Sequence, residues 1–139
     1  MRFAFLIVRI YFGCDDMNIE IIDSMFAVCK VSDFSLIDFS EPFVFTARTD
    51  KENSLVCPIE IIPANAVNVE KPWRSFRISG TLDFSLIGIL SAVSSVLAEN
   101  KIGIFAVSTY DTDYIFTKEE NFDSAINALK NAGYKIINK

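Results

Sequence analysis

The chain has 139 residues, about half of them apolar and thirteen of them Phe, so one or two small domains with a real core can form and a disordered chain is excluded. A formal charge of −5 with no Lys/Arg cluster leaves nothing to neutralise a phosphate backbone, which excludes nucleic acid as a partner. The sequence has no histidine, which excludes Ser-His-Asp and Cys-His catalysis and any imidazole-ligated metal.

At the N-terminus Arg2 precedes the apolar run Phe3-Ala4-Phe5-Leu6-Ile7-Val8, and Arg9 interrupts it before Ile10-Tyr11-Phe12. A spanning helix needs about 20 apolar residues, and a signal peptide needs a longer apolar core and a small-residue cleavage site. Neither is expected, and the protein reads as cytoplasmic. Met17-Asn18-Ile19-Glu20 looks like a natural start, leaving residues 1–16 as an N-terminal extension of doubtful status. The cysteines Cys14, Cys29 and Cys57 are odd in number and without CxxC spacing. Buried free thiols are the expectation, with a Cys29–Cys57 disulfide left open.

Ile19-Glu20-Ile21-Ile22 reads as a short strand, Asp23-Ser24 as a turn, and Met25 to Val31 as a strong strand. Phe34 to Phe39 is too short for an ordinary helix and Pro42 ends it. Phe43 to Thr49 and Ser54 to Cys57 read as two strands joined by a charged turn. Residues 64–72, between Pro63 and Trp73, read as a linker, separating a first half (17–63) from a second (73–139). From Trp73 to Ser79 the chain has the two-residue period of a half-buried strand, and Gly80 turns it. Ile89, Leu90, Val93, Val96 and Leu97 follow helical spacing up to Glu99, and Asn100 is suited to the left-handed position after it. Two apolar strands, Ile102 to Ser108 and Tyr114 to Phe116, flank a polar turn. Phe122, Ala125, Ile126, Leu129 and Ala132 form a second helical stripe stopped by Gly133, and Tyr134-Lys135-Ile136-Ile137 reads as a final edge strand. The second half is β-α-β-β-α-β.

An internal repeat links the halves. Asp33-Phe34-Ser35-Leu36-Ile37 recurs as Asp83-Phe84-Ser85-Leu86-Ile87, and each copy is followed by a hairpin with threonine entering its turn, Thr49 and Thr109. The first copy lacks room for a full helix before its hairpin.

The second half resembles an ACT domain, a β-α-β-β-α-β small-molecule-binding module, with Gly88-Ile89-Leu90 matching the family's glycine-x-leucine at the first helix. The closer resemblance is to the tandem ACT proteins related to the CASTOR-type arginine sensors and their small bacterial relatives. It rests on Arg48-Thr49 and Ser54-Leu55-Val56-Cys57 in the first half. In the second it rests on Trp73-Arg74, Gly80, Asp83-Phe84-Ser85, Gly88-Ile89-Leu90, Ile104-Phe105, Ser108-Thr109-Tyr110 and Asp113-Tyr114. The resemblance implies an α+β fold, a ferredoxin-like βαββαβ ACT domain in tandem with a degenerate N-terminal ACT-like half. It also implies regulatory amino-acid binding at an interface between ACT units, without catalysis or cofactor. Carried over by position, the ligand wall is Asp83, Phe84, Gly88, Ile104, Phe105, Thr109, Tyr110 and Asp113. The arginine sensors carry two such pairs of units in one chain and this chain carries one, so a complete site requires a homodimer. The resemblance leaves room for a protein partner and implies neither membrane nor metal.

The residues have their own chemistry. The first turn of the helix at Gly88 offers free N–H groups to a carboxylate, and glycine lets a ligand approach the backbone. Asp83, Asp113 and the Thr109 hydroxyl are acceptors for an ammonium, while Phe105 and Tyr110 suit a side chain. Each has a plainer alternative: Asp83 as a helix cap, Asp113 as ordinary hairpin polarity, Phe84 and Phe105 as core. The alternative function is a structural dimerisation module that has lost its ligand. An enzyme is disfavoured, because the sequence holds no nucleophile–base pair, phosphate loop or metal cluster.

Overall fold

The computed structural model describes residues 18–79 and 86–138. Its strands are β1 (Asn18–Val31), β2 (Phe45–Arg48), β3 (Asn53–Pro58), β4 (Ala66–Ser79), β5 (Ile104–Ser108), β6 (Asp113–Lys118) and β7 (Lys135–Asn138). Helices α1 (Leu86–Glu99) and α2 (Glu119–Asn131) lie either side of the β5–β6 hairpin in the chain. All seven strands join one sheet in the order β2-β3-β1-β4-β6-β5, with β7 added to β1.

The turn expected at Asp23-Ser24 is instead a bulge within a continuous β1. Pairing with β4 steps from Ile22↔Ser75 to Phe26↔Trp73, so Asp23, Ser24 and Met25 together oppose Arg74. Such an insertion bends and twists the strand without ending it. The bulge is also where β1 changes neighbours. Residues 18–21 pair in parallel with β7, whereas Phe26 to Val31 pair with β3, and β4 runs along the other flank throughout.

Residues 66–72, inside the stretch expected as a linker, are the first part of β4. They pair with β1 from Val31↔Ala66 to Val28↔Glu70. Proline misleads here for a physical reason. Pairing with β6 begins only at Trp73, so Pro72 lies at a sheet edge, where a missing N–H is tolerated.

Side chains alternate across a sheet, and the two faces hold different cores. On one, Ile19, Phe76, Ile78 and Ile115 meet Ile89, Val93 and Leu97 of α1 and Phe122, Ala125 and Leu129 of α2. These are the helical stripes read from the sequence. The strands of the first half have no α-helix over them among the described residues. Ala27, Cys29, Val31, Leu55 and Cys57 are covered by Phe34, Ile37 and Val44 and by Ile59, Ile61 and Ile62 around a single 3-10 turn. A third cluster joins Ile22, Phe26, Val56 and Phe116 to Phe43, Phe45, Trp73, Phe105, Val107 and Tyr114.

That third cluster curls the sheet. Phe45 on β2 reaches Tyr114 and Phe116 on β6, with ring centroids 5.0 and 6.1 Å apart. In the sheet order β6 is four strands from β2, a separation of about 19 Å if the sheet were flat. Phe116 is central: it stacks on Phe105 at 4.6 Å and meets Phe26 edge-on at 5.2 Å.

Both helices end in the same bonded turn. After α1, Ile102 N–H donates to Leu97 O and Lys101 N–H to Ala98 O. After α2, Tyr134 N–H donates to Leu129 O, with Gly133 at φ 104°. The left-handed residue after α1 is Lys101, φ 59°, not Asn100, whose side-chain amide instead donates to Val96 O at 2.8 Å. Buried Ile102 with Leu97, and partly buried Tyr134 in the cluster that holds Leu129, supply the apolar contact that accompanies such a cap.

Phe116 is fully buried among rings from three other strands, so Phe116→Ala is expected to destabilise the fold by about 3–5 kcal/mol. Urea unfolding measures it, and a loss below about 1 kcal/mol would show that the aromatic cluster does not hold the curl.

Candidate functional site

The β5–β6 hairpin closes through a four-residue turn built on Thr109. Its N–H donates to Thr112 O at 2.8 Å, and its hydroxyl accepts from Thr112 N–H at 3.3 Å. Ser108 and Asp113 face each other as the pair next to the turn. The Thr112 hydroxyl donates to Ile78 O, which ties the turn to the end of β4. The connection to α1 leaves from that same end. Hence the strand end carrying Asp113 and the C-terminal end of β4 are neighbours.

Asp113 is 3% exposed and accepts a hydrogen bond from Ser108 Oγ. By alternation along β6 it shares the face of Ile115, the helix-covered face. Among the described residues no other hydrogen-bond donor and no cation meets its side chain. Ser108 belongs to the Ser108-Thr109-Tyr110 stretch that carries the resemblance but is absent from the ligand wall implied by it. The signal was present, since a four-residue turn places the residues flanking it opposite each other.

The other expected residues divide. Ile104 packs against the cluster that holds Ile89, the residue after Gly88, and Gly88 is exposed in the first turn of α1. Thr109 is in the turn, and Tyr110 beside it is fully exposed (102%). Phe105 is not on their face. It stacks on Phe116 and meets Trp73 edge-on at 4.8 Å, the consequence of one step along a strand from Ile104. Asp83 and Phe84 lie outside the described residues.

On the opposite face an ion pair crosses three strands. Arg77 Nη2 and Nε donate to Glu20 at 3.0 and 3.2 Å, and Nη1 donates to the Tyr114 hydroxyl at 3.0 Å. Bonding to Glu20 raises the Arg77 guanidinium further above its already high ordinary value. Arg74 points the other way, over the Phe122 ring at 4.4 Å, so the two arginines form no common patch.

Cys29 and Cys57 are free and buried. Burial raises both thiols, Cys57 to about 12, which leaves them protonated and poor nucleophiles; Cys14 lies outside the described residues. Among the described residues no three His, Cys, Asp or Glu side chains gather as a metal site requires, and no helix is long and apolar enough to cross a membrane.

Residues 68–131 match the family model described as an ACT domain. Protein Atu0741 from Agobacterium tumefaciens, known from its crystal structure, is 31% identical with a TM-score of 0.78, over 88% of this chain and 93% of that one. Protein VC0802 from Vibrio cholerae is 21% identical with a TM-score of 0.68, over 84% and 90%. The allosteric aspartate kinase of Clostridium acetobutylicum is 12% identical with a TM-score of 0.52, over 84% of this chain and 34% of the kinase. The last two show the fold alone. No curated protein matches the chain significantly. With the family match spanning β4 to α2, and a relative alike along nearly its whole length, the chain carries an ACT domain over residues 68–131.

Proposed function

We propose that this protein is a cytoplasmic regulatory module that binds an amino acid between ACT units of two copies, without catalysis. ACT domains are regulatory and often bind amino acids. The observation that carries the reading is Asp113: a buried carboxylate with one hydroxyl donor and no cation beside it among the described residues. Desolvating an unpaired charge costs several kcal/mol, and a ligand ammonium supplies both the missing charge and the missing donors. The ligand carboxylate falls to the first turn of α1, where free amides and the helix dipole favour an anion by about 0.3–1 kcal/mol and Gly88 allows close approach. Ile104 forms the apolar floor, with Thr109 in the turn at the strand's end, and Asp83 and Phe84 belong to the wall by family position alone. Phe105 backs the wall from the other face, and Tyr110 reaches outward to the second copy.

The second copy has a place to join. Among the described residues β5 pairs only with β6, and it carries neither charge nor proline, the usual guards of an open edge. Helix α1 has no charged residue before Glu99. A two-fold contact along this edge gives two equivalent sites. The same edge supports the second reading, a structural dimerisation module, because it pairs with or without a ligand.

The first half we read as a degenerate ACT-like copy. Its order, β2-β3-β1-β4, is that of a βαββαβ unit with the helices replaced by a loop and a 3-10 turn. Its hairpin repeats the threonine turn: Thr49 N–H donates to Glu52 O at 3.0 Å, and the Thr49 hydroxyl accepts from Glu52 N–H at 3.2 Å.

Thermal shift against the twenty amino acids tests the reading. A true ligand at 100 times its Kd adds about 2.7 kcal/mol, whereas no response at millimolar concentrations leaves the dimerisation module. Asp113→Ala is expected to abolish that shift in a protein that still unfolds cooperatively, and light scattering is expected to give a dimer with ligand present. Ser108→Ala strips the buried carboxylate of its donor and is expected to cost about 1–3 kcal/mol of stability by urea unfolding. A change below about 0.5 kcal/mol would mean that Asp113 does not depend on it.

A further inference from the structure

The loop that stands where the first half has no helix presents a surface that the amino-acid site does not use. Between Lys30 and Arg48 the chain has no cation, and Asp33, Asp38 and Glu41 are all exposed. The loop is also ordered. Asp33 accepts from Ser35 N–H at 2.9 Å and Asp38 from Ser40 N–H at 3.0 Å, and the Asn65 side-chain amide donates to Ser32 Oγ and Asp33 O at 3.1 Å. Phe34 and Ile37 turn inward onto the core. Leu36 and Phe39 turn outward, 57% and 60% exposed. Their placement on a loop held by its own hydrogen bonds means that little ordering entropy is lost when they are covered.

We propose that this loop docks a basic amphipathic segment of a partner protein, with Leu36 and Phe39 against its apolar face and Asp33, Asp38 and Glu41 against its cations. Charge selects the occupant. A second copy meeting this loop across a two-fold axis sets three carboxylates against the same three, and an anionic lipid surface is repelled. The serine bonds hold the Asp33 and Asp38 carboxyls below the ordinary carboxylate value, so their charge is kept at neutral pH. The proposal stands on this loop alone and does not depend on ligand binding near Asp113.

The test pans a displayed library of random helical peptides against the full chain and measures the selected peptides by fluorescence anisotropy. The expected winners carry Lys or Arg beside apolar residues and bind more weakly as salt rises. They lose about tenfold or more in affinity with Phe39→Ser and with Glu41→Lys, while the melting temperature stays within a degree or so because both side chains are exposed. Selection of no basic amphipathic peptide overturns the proposal, as does binding indifferent to Phe39→Ser. Self-association that Phe39→Ser abolishes, seen by light scattering, overturns it too by making the occupant a second copy.

Discussion

The pairing of β1 with β4 is the constraint on which the rest of the molecule depends. Both strands run for 14 residues, and every other strand adds to one flank or the other of this pair. A free-standing βαββαβ unit sets its last strand beside its first. Here β1 lies between β7 and β4, so the last strand of the second half is held by the first strand of the chain. Ile19, fully buried, enters the helix-covered core from β1. A boundary at residues 64–72 therefore divides the sequence without dividing the sheet.

The curl follows from the same pair. Because β1 and β4 continue through both halves, the twist added at the Asp23–Met25 bulge turns β2 and β3 toward β6, and the gap fills with rings. Aromatic pairs prefer edge-to-face and offset contacts over a direct sandwich. Phe26–Phe116 at 87° and Phe45–Phe116 at 85° meet edge to face. Asp113 and Tyr114 are consecutive on β6 and so point to opposite faces: the first toward the helices, the second onto Phe43, Phe45 and Arg77. Asp113 is thus one residue away from the contact that joins the two hairpins.

What could be read from the sequence was whatever a short window determines. The helical stripes of α1 and α2, the Gly133 stop and the two threonine turns are local patterns, and they stand where periodicity and turn chemistry put them. Non-local pairing was not legible. Asp23-Ser24 has the composition of a turn, and only the match of Ile19 to Ile78 across from Phe26 to Trp73 makes it a bulge. Pro72 looks like linker punctuation because an edge position cannot be told from an unpaired one. Family position groups Ile104 with Phe105 on one wall, whereas period-two alternation along a strand sends neighbours to opposite faces, as they stand here.

The two copies of Asp-Phe-Ser-Leu-Ile show how length decides chemistry. Ten residues fewer separate Asp33 from Thr49 than Asp83 from Thr109, which leaves no room for a helix of the length of α1. Gly88 then corresponds to Asp38, and Asp113, by its place after the turn, to Asn53. The first copy thus has an acid where the second has an exposed glycine in the first turn of a helix, and that acid's oxygen is already bonded to Ser40. It has an amide in place of the buried carboxylate, and that amide is spent on Ser32 O at 3.1 Å. Both ends of zwitterion recognition are reversed or used up, so on the reading proposed here each chain carries one amino-acid site. The loop that follows the first copy of the repeat keeps its order through Asn65 and its surface through Leu36 and Phe39. An equivalent contact in the second half would have to compete with α1, whose Ile89, Val93 and Leu97 are committed to the core.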